Sequence, residues 1–359
     1  MTRTSLPGGC LTDITGIAVG HCQRVARGWL TGTTVAVLPS GSVVGVDVRG
    51  GGPGTRETDL LDPLATISTA HALCLTGGSA FGLAAADGVM EVLEDRGIGF
   101  EVGTPGTPSF GRVPLVPSAV IFDLGRGGMF GNRPNADFGR RATRAARTAP
   151  SPNGSIGAGT GARAGGIRGG VGTASAIVRI PGTDLDIRVA ALVVVNAAGA
   201  VIDPSRGLPW ANGDDRLRAP SAADRRALGA HIATAAPPLN TTIGIVATSA
   251  ELTKAEACRL ALVGHDGLAR SIRPVHSLYD GDTLFGVSTC AHSLDGDTPR
   301  ARTTRLNTLL DLAAQCVARA CTNAVVRADG EGSYRSLCPS AFEGRRPARS
   351  GRLSTRRGD

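Results

Sequence analysis

Strand-like and helix-like segments follow one another in mixed order along this chain, with no internal repeat, and that order constrains its fold most. β-Branched runs over 33–38 and 42–48 predict two strands joined by the turn Pro39-Ser40-Gly41. Apolar residues at helical spacing (Phe81, Leu83, Ala84, Val89, Met90, Val92, Leu93) predict a helix over 79–95 that ends at Gly97. A short strand over 119–124 and a helix over 137–148 follow, then strands at about 172–180 and 187–195. Beyond a short helix near 221–232, an apolar run starting at Ile243 predicts another strand. Thr253-Lys254-Ala255-Glu256 has the spacing of a capping box and opens a helix to about residue 270. A strand over 284–289 and a long amphipathic helix over 303–327 complete the pattern. Strict strand–helix alternation would indicate a doubly wound sheet. This mixed order predicts a layered α+β domain instead.

The side chains available to fill such layers are small. Aromatic residues make up 3% of the chain and 51 of its 359 residues are glycine, so close backbone packing is expected rather than a few large core side chains. The length allows one large domain or two ordinary ones, and residues 13–338 read as one. Residues 1–12 read as a flexible lead-in, 125–135 and 149–170 as Gly/Pro-rich loops, and 203–240 as a polar segment exposed enough to be cut. Residues 339–359 read as a basic, disordered tail; its last sixteen residues hold six Arg against one Asp and so carry +5 of the net +8. The remaining charge is ordinary, aromatics for stacking bases are few, and no nucleic-acid motif is present, so nucleic acid is not an expected partner.

Eight cysteines without a C-x-x-C pair read as reduced core thiols, which suits a cytoplasmic protein. No apolar leader is visible at the N-terminus. The longest apolar stretch, 189–202, is interrupted by Asn196 and too short to span a bilayer, so no membrane is expected either.

Three places could carry chemistry. Leu239-Asn240-Thr241-Thr242 follows the loop Ala235-Ala236-Pro237-Pro238 and runs into the apolar strand at Ile243. If the Asn240–Thr241 bond breaks, Thr241 gains a free α-amine beside its own hydroxyl, and one residue supplies both nucleophile and base. A threonine at a strand start can equally be a packing residue. Asp280-Gly281-Asp282 before a strand reads either as a hairpin turn or as a carboxylate pair that orients a nucleophile. Asn196, ending the run 190–195, must find polar partners; its NH₂ either bonds a neighbouring loop or points into a cleft as an oxyanion donor. The Gly157–Gly161 loop lacks phosphate-binding spacing, no two histidines stand at metal spacing and no G-x-S-x-G elbow occurs. No metal or organic cofactor is expected.

Six ordered segments, taken together, resemble the DmpA-type aminopeptidase family, which includes L-aminopeptidase/D-esterases, β-peptidyl aminopeptidases and nylon-oligomer endohydrolases. They are the run from Val46 through Gly50-Gly51-Gly52-Pro53-Gly54 to Asp59, Thr76-Gly77-Gly78-Ser79-Ala80-Phe81-Gly82-Leu83, and Gly169-Gly170-Val171-Gly172-Thr173-Ala174-Ser175. Val195-Asn196-Ala197-Ala198-Gly199, Asn240-Thr241-Thr242 and Asp280-Gly281-Asp282-Thr283-Leu284-Phe285 complete the set. The resemblance implies a four-layer αββα sandwich related to ornithine acetyltransferase. It further implies self-cleavage at Asn240–Thr241 into an α chain 1–240 and a β chain 241–359, which assemble as a homo-oligomer of cleaved units.

By the same resemblance, Thr241 is the nucleophile, Asp280 and Asp282 the carboxylate pair, and Asn196 the oxyanion-hole asparagine. The substrate class is a small peptide, amide or ester, and the route passes through an acyl-Thr. Two positions depart from the family. A tyrosine near its oxyanion site falls on Phe122, which has no hydroxyl, and its lysine falls on Arg168, which keeps the charge but cannot shed a proton. The alternatives are an acetyltransferase of the ornithine type and a non-catalytic relative.

Overall fold

The computed structural model describes residues 2–342 except 7, 105, 107, 181–185, 235–239 and 297. The loop leading to Asn240 and the basic residues beyond 342 therefore lie outside the described residues.

Two sheets stack at the centre. The larger has the spatial order Thr2–Leu6, Gly170–Arg179, Asp186–Val195, Ile243–Ala250, Thr283–His292, Val43–Val48. All its pairings are antiparallel except that of Ile243–Ala250 with Thr283–His292, which is parallel. A parallel pair needs a crossover, and the helix Lys254–Ser271 supplies it. The smaller sheet has the order Ala18–Ala26, Trp29–Val37, Ala72–Thr76, Ser118–Val120, Thr55–Arg56.

Strand alternation divides the apolar residues between layers. In Asp186–Val195, Ala191, Val193 and Val195 face Leu260, Leu268, Ala313 and Val317 of the helices Lys254–Ser271 and Pro299–Val326. The intervening Ala190, Leu192 and Val194 meet Leu73, Leu75 and Ile121 from the other sheet. On the far face of the smaller sheet, Val35 and Cys74 pack with Val89, Leu93 and Phe138 from the helices Ala85–Asp95 and Ala136–Ala145. The result is helix, sheet, sheet, helix: the four-layer sandwich.

Small residues set the layer spacing. A Cβ at Gly172 would stand 1.9 Å from the Ala320 carbonyl oxygen, so only glycine lets the helix Pro299–Val326 lie against this strand. That helix is long and apolar enough to cross a membrane by composition, but it is largely buried as the core helix of the layer. The Thr253 capping box forms as expected, Thr253 accepting from Glu256 N at 3.2 Å while Glu256 accepts from Thr253 N at 2.8 Å. Such a cap is worth about 1 kcal/mol. All eight cysteines are unpaired, and burial pushes the thiols of Cys74, Cys316 and Cys321 up to about 12.

Several expectations change. Trp29–Val37 and Val43–Val48 do not pair with each other: the Pro39-Ser40-Gly41 turn carries the chain from one sheet to the other. The lead-in contains Thr2–Leu6, an edge strand on Gly170–Arg179. Residues 339–342 are not tail but a 3-10 turn, Pro339–Phe342, with Ala341 buried and the Phe342 ring 5.8 Å from that of Tyr334. The helix over 79–95 divides into Ser79–Gly82 and Ala85–Asp95. The strands Ala18–Ala26 and Ala72–Thr76 had no counterpart in the sequence reading.

Candidate active site

Strand register builds the site. The parallel pair starts with Ile243 opposite Thr283, so the residues just before each strand emerge side by side at one end of the sheet. Asn240 forms a parallel bridge with Asp280 there. On the other side, Val194 pairs antiparallel with Ile243, which carries Asn196 level with Thr241. The Thr241 N–H donates to the Asn196 carbonyl at 2.6 Å. Three segments separated by about forty residues each thus meet around Thr241, which is 5% exposed, with Asn196, Asn240, Asp280 and Asp282 fully buried.

Within this cluster the Thr241 hydroxyl donates to the Asn240 carbonyl oxygen at 2.5 Å, so Oγ1 lies against the peptide bond that precedes it. Asp280 accepts from Ala198 N at 3.2 Å and from Ser277 N and Oγ at 3.0 and 2.5 Å. Asp282 accepts from Thr242 N at 2.7 Å and from His276 N and Nδ1 at 3.3 and 2.7 Å. Buried carboxylates need such donors. Neither is hydrogen-bonded to Thr241 itself among the described residues. They clamp the segments on either side of it, Asp280 the 196–198 turn and Asp282 the chain just after Thr241.

Asn196 sits where its amide orientation is decided. Its Oδ1 accepts from the Arg126 guanidinium and from Arg163 N at 3.0 Å, which leaves Nδ2 with one long contact, 3.4 Å, to the Phe122 carbonyl. Arg126 also donates to Asn240 Oδ1 at 3.1 Å and to Gly161 O at 2.7 Å, linking Asn196 to Asn240. Burial lowers the Arg126 guanidinium to about 10, so it stays charged at neutral pH. Behind it Asp123 is buried with Oδ1 bonded to Gly78 N at 2.7 Å and with the Thr31 hydroxyl beside the carboxyl; burial raises it to about 6.

A cavity of about 310 Å³ opens onto Thr241 and Asn240, lined by the Gly52–Gly54 loop, Ser79, Ala80, Val120, Phe122, Leu278 and Tyr279. Phe122 is therefore at the pocket, presenting a ring where the resemblance implies a hydroxyl. Arg168 is not. It lines a separate cavity with Arg163, His231 and Glu331, and the cation beside Asn196 is Arg126. Among the described residues no group of three or more His, Cys, Asp or Glu stands together as a metal site.

Arg126 and His276 escaped the sequence reading. Arg126 lies in a Gly-rich loop with no periodicity, and nothing local marks it. His276 precedes Asp282 by six residues, so a search for a base beside the carboxylate pair could have found it. Beyond it, the His265 ring meets the His276 ring edge-on at 4.9 Å, and its Nε2 lies 3.1 Å from the Asp47 carbonyl. Burial lowers His265 to about 4, leaving it neutral.

Comparison with known proteins identifies the family and the fold. The model of peptidase family S58 matches residues 9–335. An uncharacterized aminopeptidase of Mycobacterium tuberculosis is 46% identical over 354 residues, covering 92% of this chain and 98% of the relative. A 6-aminohexanoate-oligomer endohydrolase of a Kocuria species is 31% identical over 283 residues, covering 77% of this chain and 74% of the relative. Among solved structures, a Burkholderia β-aminopeptidase aligns with a TM-score of 0.67 at 22% identity over 97% of both chains. The L-aminopeptidase D-Ala-esterase/amidase of Ochrobactrum anthropi, a variant of the Ntn-hydrolase fold, aligns with a TM-score of 0.67 at 20% identity, covering 92% of this chain and 89% of that one. With this fold and these relatives, the chain belongs to peptidase family S58 and is a hydrolase acting on peptide or amide bonds.

Proposed function

We propose that this hydrolase cuts itself at Asn240–Thr241 and then uses the freed Thr241 as an N-terminal nucleophile. The carrying observation is geometric: the Thr241 hydroxyl lies 2.5 Å from the Asn240 carbonyl oxygen, in a buried cluster with Asn196, Asp280 and Asp282. In maturation, Oγ1 attacks the Asn240 carbonyl carbon and the C–N bond breaks. The hydroxyl proton ends on the departing Thr241 nitrogen, which becomes an amine, and water hydrolyses the ester.

In turnover the amine, with a reference pKa of about 7.7–8.0, takes the hydroxyl proton as Oγ1 attacks the substrate carbonyl. Asn196 supports this arrangement in two ways, as an acceptor and as a donor. Its main-chain oxygen accepts from Thr241 N at 2.6 Å and keeps the amine in place, and its Nδ2, held only by a long 3.4 Å contact to the Phe122 carbonyl, is the donor for the developing oxyanion. One such donor is worth about 10²–10³ in rate. The acyl-Thr is released by water. Asp280 and Asp282 act by fixing the segments that hold Asn196 and Thr241.

The cavity at Thr241 is lined by glycine, apolar side chains and two hydroxyls, which suits an uncharged, slender acyl group. Oligomers of 6-aminohexanoate, named for the Kocuria relative, offer acyl groups of that shape. The peptidase relatives do not favour the acetyltransferase alternative. Denaturing electrophoresis with intact-mass measurement tests the reading: fragments 1–240 and 241–359 are expected from wild type, and only full-length chain from Thr241→Ala. A wild-type protein that turns over substrate while uncut would refute it.

A further inference from the structure

A second cavity, also about 310 Å³, is lined by Arg163, Gly166, Arg168, His231, Glu331 and Gly332 and shares no lining residue with the one at Thr241. Its charge comes from a short hairpin, Arg163–Ala164 paired with Ile167–Arg168, whose register sets Arg163 directly opposite Arg168. Like charges opposite one another across an antiparallel pair are destabilising. Here the protein does little to offset them. Arg168 donates from Nε to the Glu331 carbonyl at 3.4 Å and from one terminal nitrogen to the Thr160 carbonyl at 3.3 Å, which leaves its other terminal nitrogen unused. The Arg163 guanidinium has no hydrogen bond or ion pair among the described residues, while the main-chain N–H of the same residue donates to Asn196 Oδ1 at 3.0 Å. The Glu331 carboxylate favours the charged form of Arg168 from a distance but makes no ion pair with either arginine among the described residues, so at most one countercharge stands against two guanidinium groups. His231 closes the cavity, its ring against Gly332.

We propose that this cavity binds a small oxyanion, a carboxylate or phosphate group, held between the Arg163 and Arg168 guanidinium groups with His231 as a third donor. Paired guanidinium forks are suited to planar, charge-assisted recognition of such groups, and two arginines against one carboxylate favour an anion over a cation. The anion supplies the countercharge that the hairpin lacks. Because Arg163 N also holds Asn196 Oδ1, the hairpin that carries this site supports the active site as well.

Isothermal titration calorimetry at constant ionic strength, with inorganic phosphate and with glutarate as probes, tests the proposal. Using Thr241→Ala beside wild type keeps the outcome independent of self-cleavage. Saturable one-to-one binding of either probe is expected, at least about 10-fold weaker in Arg163→Ala/Arg168→Ala, with Arg163→Gln alone also weakened. Glu331→Gln removes the competing carboxylate and is expected to tighten binding about 3-fold. The tighter probe identifies the source, phosphate or carboxylate. Absence of saturable binding with both probes, or equal binding by the double variant, overturns the site.

Discussion

Gly281 stands between the two carboxylates, and replacing it with alanine tests whether Thr241 is held in a reactive position. An added Cβ would lie 2.5 Å from the Gly52 carbonyl oxygen, 2.8 Å from Thr241 Oγ1 and 3.0 Å from Pro53 Cα. Ordinary contacts begin near 3.4 Å, so each of these neighbours must give way by roughly 0.5–1 Å. The Gly52 side yields poorly, because Gly52 N is bonded to the Asp280 carbonyl at 2.8 Å. Much of the relief must therefore come from displacement of Oγ1. Overpacking of this kind costs about 1–3 kcal/mol, and a misplacement of about 1 Å at a reacting atom costs about 10²-fold in rate. Gly281→Ala is accordingly expected to mature and turn over about 100-fold more slowly, with a Tm lower by a few degrees. The assay is intact mass against time after a short expression pulse, with a thermal melt of the same samples. Gly229→Ala is the control, since a Cβ there meets nothing within 4 Å. Maturation of Gly281→Ala at the wild-type rate with an unchanged Tm would refute the placement of Oγ1.

Two further predictions follow from the groups behind the nucleophile. Arg126→Met removes the donor that fixes Asn196 Oδ1 and Asn240 Oδ1, and both maturation and turnover are expected to fall by about 10²–10³; unchanged single-turnover rates would show that Asn196 is held without it. Asp123, raised to about 6 by burial, binds its proton more tightly folded than unfolded. Its contribution to stability is fully present below pH 3.8 and is lost as pH rises through 6, by roughly 3 kcal/mol in all. Asp123→Asn should abolish that loss, so the Tm difference between variant and wild type should grow in the variant's favour from pH 4 to pH 6.5. His21 and His265, both lowered to about 4 by burial, act in the opposite direction, losing stability as pH falls from 6.5 through 4, and they cancel in that difference.

Local chemistry was legible wherever the cause is local. The Thr253–Glu256 cap depends on four adjacent residues and formed as read. The strand ending at Asn196 was visible because one amide interrupts an apolar run, and Asp280-Gly281-Asp282 because it precedes another. Pairing partners were not legible. Pro39-Ser40-Gly41 has the composition of a hairpin turn, yet the strands it joins belong to different layers: Trp29–Val37 pairs with Ala18–Ala26 and Ala72–Thr76, and Val43–Val48 with Thr283–His292. Arg168, matched by motif to a pocket cation, lies in another cavity because Arg163 and Arg168 close a hairpin of their own.

By itself, then, the sequence determined the layered α+β class, the small-residue packing and the three polar positions around which chemistry could form. Periodicity, caps and an interrupted apolar run are properties of neighbouring residues, and they survive in one dimension. The tertiary structure decided which groups meet. Only the parallel register of Ile243–Ala250 with Thr283–His292, and the antiparallel register of Asp186–Val195 beside them, brings residues 196, 240, 241, 280 and 282 to one end of one sheet. Arg126 reaches Asn196 and Asn240 across separations of 70 and 114 residues, and His276 acquires its role from Asp282 and the His265 ring. A hydrogen bond depends on distance in space, and distance in space is set by the packing of all four layers at once.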